Sequence, residues 1–589
     1  MILQALAEYF DRKAADPDSD IAPSGFEWKE IPYVIILKHE GNPINISSTY
    51  EIEGKKKKAK RFLVPISVKR GNNIAANLLW DKPEYAIGIP QEGMSNRAND
   101  QHASFIKRIN DLGDVQDDGL ESVKKFLRIQ DKVKVLSVYE AWENLCKEWG
   151  NISFSLVGEE TLVLDRPLVK EAIKKQTQQE NIQETSICLI SGDRQPIERL
   201  HNQIKNLKGA PEFGANIVSF NLAPFCSYRK KQGANAPIGK DSAFAYTTAL
   251  NYLLNDNSTQ RLQVGDASTI FWAERKSDFE TAMTDIFGNP PEDHPDRCVN
   301  AVKSLFKSVE SGCLAIESEK TRFYVLGLSP NASRISIRFW IVDTVAGMAG
   351  KIVQHFKDLE IIHGPKDKDT LSLFRLLVST AVLGKSENIA PNLAGDTMRS
   401  ILEGLPYPRT LLDATVRRIR AEHEITYARA SLIKACINRS TRFNNPENKE
   451  EIKVSLDKSN TNIGYRLGRL FAALEKIQSE ANPGINATIR DRFYGAASGT
   501  PVTVFSNLMR LKNHHLAKLE SPGRRIFFEK LIAEVMESIE DFPSHLALAD
   551  QGRFAIGYYH QNQNFYTSTK KDKGSDDSSN NTEGENSND

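Results

Sequence analysis

The chain has 589 residues, 40% of them hydrophobic and 26% charged, with 77 Lys and Arg against 76 Asp and Glu. That length exceeds one hydrophobic core and implies two or more domains, and the composition is that of an ordinary globular protein. A formal net charge of +1 excludes any argument for nucleic-acid binding from net charge, so such a function must rest on local clusters of cations.

At the N-terminus Leu3, Leu6, Tyr9 and Phe10 fall at helical spacing, without the basic start and unbroken apolar stretch of a secretory signal. No run of about 18 apolar residues predicts a membrane-spanning helix. Residues 15–25 read as a loop, and Ile31–Leu37 as a buried strand closed by Glu40-Gly41-Asn42. A lysine run follows, and then Val64–Val68 reads as a strand leading into Lys69-Arg70-Gly71-Asn72-Asn73. Helical spacing dominates residues 100–180, over Phe105–Leu112, Gly119–Leu127 and Val135–Trp149. Strands are expected at Ser153–Leu156, Thr161–Leu164, Ser186–Ile190 and Ile217–Phe220. Arg322–Leu328 is an apolar run, and Arg334–Trp340 alternates at period two, with a turn expected at Leu328–Asn331.

Strands vanish from about residue 365. Residues 410–440 read as a basic amphipathic helical stretch, and Asn444–Ser459 as a polar boundary. Helix faces follow at Ile463–Ile477 and Phe527–Ile539, with Thr500-Pro501 starting another helix. Ser568–Asp589 has no aliphatic residue and is expected to be disordered.

The fold class expected is therefore α+β: a strand-rich N-terminal and central region with helical insertions, then an all-α C-terminal bundle and a disordered tail. The expected divisions are 1–100, 101–365, 366–454, 455–567 and 568–589. The 455–567 segment is expected to fold as an independent bundle.

Catalytic motifs do not emerge. Gly233–Asp241 resembles a phosphate loop with one residue too many, and Asp241 stands where a Ser or Thr would hold magnesium. Asp293-His294-Pro295-Asp296 lacks the order of a metal-binding pair, and the adjacent His514 and His515 point in different directions on a helix. No GxSxG or HExxH occurs. Six cysteines (Cys146, Cys188, Cys226, Cys298, Cys313, Cys436) form no CxxC pair, which argues against a zinc ribbon or disulfide framework and fits a reducing cytoplasm. No catalytic residue, metal or cofactor is expected.

Two basic segments stand out. Lys55, Lys56, Lys57, Lys58, Lys60, Arg61, Lys69 and Arg70 lie between positions 55 and 73 with no acid among them. Lys69 to Asn73 would bring cations for phosphates and amides for base edges into one turn; the same residues suit a tight hairpin whose Gly-Asn-Asn serves positive φ. Tyr228-Arg229-Lys230-Lys231-Gln232 sets an aromatic beside three cations, a pattern that suits a single strand and equally an exposed loop.

Several segments together resemble one family, the large subunit of the type I-C CRISPR surveillance complex, Cascade. They are Gly71–Ile74 through Asn77–Asp81 with Tyr85 and Gly88; Val218–Asn221, Ser227-Tyr228 and Gly233–Pro237; Tyr324–Arg334; Tyr465–Leu470; and Gln551–Gln561. The resemblance spans nearly the whole chain and implies a non-catalytic subunit. Its implied partners are CRISPR RNA, double-stranded target DNA and its displaced strand, the other backbone and small subunits, and a recruited helicase-nuclease, with no membrane. On that implication Asn72 and Asn73 read the protospacer-adjacent motif while Lys69, Arg70 and Gly71 complete the recognition loop. Lys55, Lys56, Lys57, Lys58, Lys60, Arg61, Arg229, Lys230, Lys231 and Gln232 then follow nucleic-acid backbone. The C-terminal bundle resembles a Cascade small subunit, and the resemblance leaves room for its being made separately from an internal start. No methionine falls between Met398 and Met509, so a separate product needs a non-AUG start or other limits. The competing readings are a metal-dependent nuclease or NTPase, and an RNA-holding scaffold without motif recognition.

Overall fold

The computed structural model describes residues 1–53, 56–68, 70, 73–91, 97–179, 185–265, 267–288, 294, 296–311, 320–390, 392–447 and 451–576. The architecture is α+β. The chain divides into two compact units, Met1–Asn202 with Val218–Tyr252, and Gln203–Ile217 with Leu253–Asp589.

In the first unit β1 (Phe26–Glu30) pairs antiparallel with β6 (Arg61–Pro65). β2 (Tyr33–Leu37) lies between β3 (Pro43–Ser48), antiparallel, and β7 (Ile152–Leu156), parallel. Its unbroken apolar sequence is what a covered central strand requires. Phe105, Ile109, Leu120, Val123 and Phe126 from two helices, Ala98–Asn110 and Asp118–Leu127, fill the same core. β4 (Tyr50–Glu53) and β5 (Lys56–Ala59) form a separate hairpin, and β8 (Thr185–Ile187) pairs with β9 (Arg194–Pro196).

The second unit opens with the antiparallel sheet β10 (Arg261–Val264), β11 (Ala267–Ala273), β12 (Arg322–Asn331) and β13 (Arg334–Thr344), in that order. Helices follow to the end of the described chain. One hydrophobic cluster runs from Leu262 through Val416, Ile452 and Leu470 to Phe565. The helices Ile463–Ala481 and Leu548–Asp576 cross closely. A Cβ at Gly468 would lie 2.0 Å from the Phe554 carbonyl oxygen, and one at Gly557 would lie 2.0 Å from that of Tyr465. Gly464 likewise faces the Asp550 carbonyl, so three glycines set the helix spacing.

Several expectations need correction. The strand expected over Val64–Val68 stops at Pro65, which has no N–H; beyond it Ser67 N donates to Glu27 and Val68 N to the Asn77 side chain. Thr161–Leu164 contains no strand; a short 3-10 turn spans Val163–Asp165. Ile217–Phe220 is irregular rather than extended. The turn expected at Leu328–Asn331 lies at Asn331–Arg334, where Ala332 takes a left-handed φ of 51°, and Ser329 and Pro330 stay in β12. The basic stretch 410–440 is two helices, Arg409–Glu422 and Tyr427–Asn444, and the second is buried along most of its length. Residues 568–576 of the expected disordered tail continue the last helix, and 577–589 lie outside the described residues. Among the described residues no helix is long and apolar enough to cross a membrane.

Candidate nucleic-acid interface

The lysine run folds into the β4–β5 hairpin, and this changes its charge. Register sets Glu51 opposite Lys58, so an acid of the preceding strand stands beside the run. Lys57 Nζ lies 2.5 Å from Glu148 and 4.0 Å from the centre of the Tyr50 ring. Glu148 also accepts from the Tyr33 hydroxyl at 2.6 Å. Hydrogen bonds from Lys57 and then Tyr33 hold its carboxyl below the usual range. Lys57 thus pins the hairpin to the helix Trp142–Glu148. Lys58, Lys60 and Arg61 are exposed; Lys60 reaches over Phe62, and Arg61 pairs in register with Glu30. Lys55 lies outside the described residues, as does the side chain of Lys56.

The expected recognition loop is braced at its base. Arg70 pairs with the buried carboxylate of Asp81, donates to the Ala75 carbonyl at 2.5 Å and stacks 3.9 Å from the Tyr85 ring centre. Asp81 also accepts from the backbone N–H groups of Asn77 and Lys82, each at 2.8 Å. Burial raises its carboxyl, with Arg70 opposing. Trp80 Nε1 donates to the Pro65 carbonyl at 2.9 Å. The pattern Asn77-Leu78-Leu79-Trp80-Asp81 therefore does structural work: it closes the loop and holds its ends together. Arg70 acts as a strut within that closure. Asn73 is exposed near the tip. Lys69, Gly71 and Asn72 lie outside the described residues.

The second basic segment is the more informative. Asn235 closes the loop Ser227–Asn235 from within: its Oδ1 accepts from Ser227 N at 2.9 Å, and its Nδ2 donates to the carbonyls of Gln232 at 3.0 Å and Lys230 at 3.3 Å. Gly233 anchors the loop from below, donating its N–H to the Arg199 carbonyl at 3.1 Å. A Cβ there would meet the Glu198 carbonyl at 2.2 Å, so only glycine fits. Tyr228, Arg229 and Gln232 hold left-handed φ values of 50°, 60° and 47°. Three such non-glycine residues in one loop are the kind of backbone that persists where the surroundings over-determine it and a function uses it. Tyr228 is 95% exposed. Among the described residues no carboxylate lies within 4.0 Å of the Arg229, Lys230 or Lys231 cation. Leu222 and Phe225 are exposed beside them.

The structure thus keeps Tyr228, Arg229, Lys230, Lys231 and Gln232 together on one exposed loop, while it engages Lys57 and Arg70 in local ion pairs. Sequence reasoning missed the closing role of Asn235. The signal was a lone Asn within a Gly-Ala-Asn-Ala-Pro segment, eight residues past a Ser. Among the described residues no group of three or more His, Cys, Asp or Glu could hold a metal ion. A family model described as CRISPR-associated protein (Cas_Csd1) matches residues 6–566. No curated protein matches the chain.

Proposed function

The chain belongs to this CRISPR-associated Csd1 family, the large subunits of type I-C Cascade, and from that premise we propose that it reads the flanking motif of target DNA, aids duplex opening and holds the displaced strand. It then offers a surface to a recruited helicase-nuclease. In this division of labour base pairing with the guide reads the target sequence, and the protein reads a short flank.

The observation that carries the reading is the Ser227–Asn235 loop. An aromatic ring and three cations without carboxylate partners, on a backbone fixed by Asn235 and Gly233, match what a single strand needs: a stacking platform and backbone charge. The amide chemistry of Asn72 and Asn73 fits the motif-reading role, next to Arg70, which Asp81 and Tyr85 hold in place.

The test uses the assembled complex with its CRISPR RNA. Asn72→Ala with Asn73→Ala should erase the preference for targets carrying the correct flank. Lys230→Gln with Lys231→Gln should flatten the salt dependence of strand binding by about 0.7 log units per lost contact, and leave thermal unfolding unmoved. If flank preference and salt dependence both survive, the assignment is wrong. DNA degradation by the purified chain with magnesium would instead favour a nuclease.

A further inference from the structure

A cleft of about 490 Å³ opens in the second unit, lined by Arg409, Arg417, Arg420, Asp413, Leu548 and Gln551 among others. We infer that this cleft is a second nucleic-acid site, which binds the phosphate backbone of a single strand through Arg409, Arg417 and Arg420. The inference extends the strand-holding role proposed above to a part of the chain that the recognition loops do not include, and it rests on that reading.

The helix Arg409–Glu422 places positions 409, 413, 417 and 420 on one face. The row is about 16 Å long at 1.5 Å per residue. Three of its four members are arginines, and all three are exposed. Asp413 pairs with Arg417 at 2.8 Å. Arg409 and Arg420 have no carboxylate within 4.0 Å among the described residues. Arg420 has one neutral partner, the Gln551 amide oxygen at 3.4 Å. The same helix shows what a satisfied pair looks like: Arg418, two residues earlier, meets Glu422 at 3.2 Å.

A second helix passes beside the Arg420 end of the row. On the helix Ile489–Gly499, Gly495 and Gly499 face Arg420, and a Cβ at either would meet nothing but that guanidinium, at 4.0 and 3.6 Å. Gly495, inside the helix, costs about 1 kcal/mol relative to alanine, and Gly499 is the helix's last residue. Neither puts a side chain against the Arg420 guanidinium. Arg492, three residues before Gly495 on the same helix, is also exposed. Guanidinium groups suit phosphate oxygens because their planar donors bind in pairs. DNA and RNA share this backbone chemistry.

The experiment measures fluorescence anisotropy of the full chain with an oligothymidylate and an oligouridylate of about 20 nucleotides, across a salt series. Arg409→Gln with Arg420→Gln should weaken binding about tenfold and reduce the salt slope by about 1.4 log units. Thr410→Glu puts a carboxylate on the rim in an exposed first helical turn, where acids favour folding; it should weaken binding in the same direction, so the result stands even if the double variant folds poorly. Arg409→Lys with Arg420→Lys should keep most of the slope. Equal loss for both oligonucleotides assigns the cleft to backbone alone, and loss with one assigns it to that nucleic acid. Wild-type affinity and slope in both the double Gln variant and Thr410→Glu would overturn the proposal. Repeating the series in the Lys230→Gln, Lys231→Gln background separates the two sites: loss that persists there belongs to the cleft, whatever becomes of the loop.

Discussion

Arg229, Lys230 and Lys231 in the first unit carry the same charge as Arg439, Arg466 and Arg469 in the second, in opposite surroundings. The first three stand exposed on a loop without carboxylate partners. The second three are buried, and each is drawn into the helical interior by specific acceptors. Arg439 meets Asp358 at 3.1 Å and the carbonyls of Ser400 and Leu405 at 2.9 and 2.8 Å. Arg466 donates to the carbonyls of Asn460 and Val535. Arg469 meets Glu534 at 2.7 Å and Gln561 at 3.1 Å. A buried guanidinium needs such partners because the charge has lost its water. An exposed one keeps its water and stays available to a phosphate. The buried helical arginines of this chain are thus architecture, while the exposed loop cations keep the availability that the proposed interface requires.

The comparison breaks hardest at Asp358, which receives both Arg439 and Arg442. Asp358→Ala leaves Arg439 buried without its anion and should cost about 3–5 kcal/mol, read as a lowered urea midpoint. A loss below about 1 kcal/mol would mean the network is worth no more than a surface pair. Next is Gly468→Ala. With a carbonyl 2.0 Å from the new methyl, the helices Ile463–Ala481 and Leu548–Asp576 must separate, at a cost of about 3 kcal/mol; an unchanged melting temperature would show that they were never so close.

The smallest effect sharpens the contrast by pH. Burial pushes the His560 imidazole down to about 4, next to the Tyr465 hydroxyl at 2.9 Å. Between pH 6.5 and 4 the unfolded chain therefore binds a proton that the folded chain refuses, and stability falls as pH falls through that window. From about pH 6.5 to about 5 this residue should account for about 2 kcal/mol. His560→Gln should remove that slope; parallel stability curves for the two proteins would contradict it.

Much of the fold was legible, and the reasons are local. β2, β12 and β13 declare themselves by apolar runs or alternation, and the long helices by spacing. What misled was chemistry that crosses the sequence. The strand stops at Pro65, short of Val68, whose N–H belongs to Asn77. The lysine run looks unopposed until β4 brings Glu51 alongside it. Arg70 reads as a phosphate hook until Asp81, eleven positions on, is found beneath it. The C-terminal motifs were visible as patterns, yet their meaning is packing. Gly468 and Gly557 allow a close crossing, while Arg469 and Gln561 join across it. Residues 410–440 showed as a basic helical stretch, but the cleft beside Arg409, Arg417 and Arg420 did not, because its other side comes from Leu548 and Gln551, some 130 residues away.

The closed loop around Tyr228 has one more consequence, which concerns time. Because Asn235 and Gly233 already fix its backbone, a strand arriving there meets a surface that needs little further ordering, and the entropic cost of shaping a flexible arm is avoided. Under the strand-holding role proposed above, capture would proceed at the pace of electrostatic encounter, fast and strongly slowed by salt, with no separate folding phase behind it. In that role, a contact that forms and lets go quickly would suit a subunit that meets many wrong sequences for each right one.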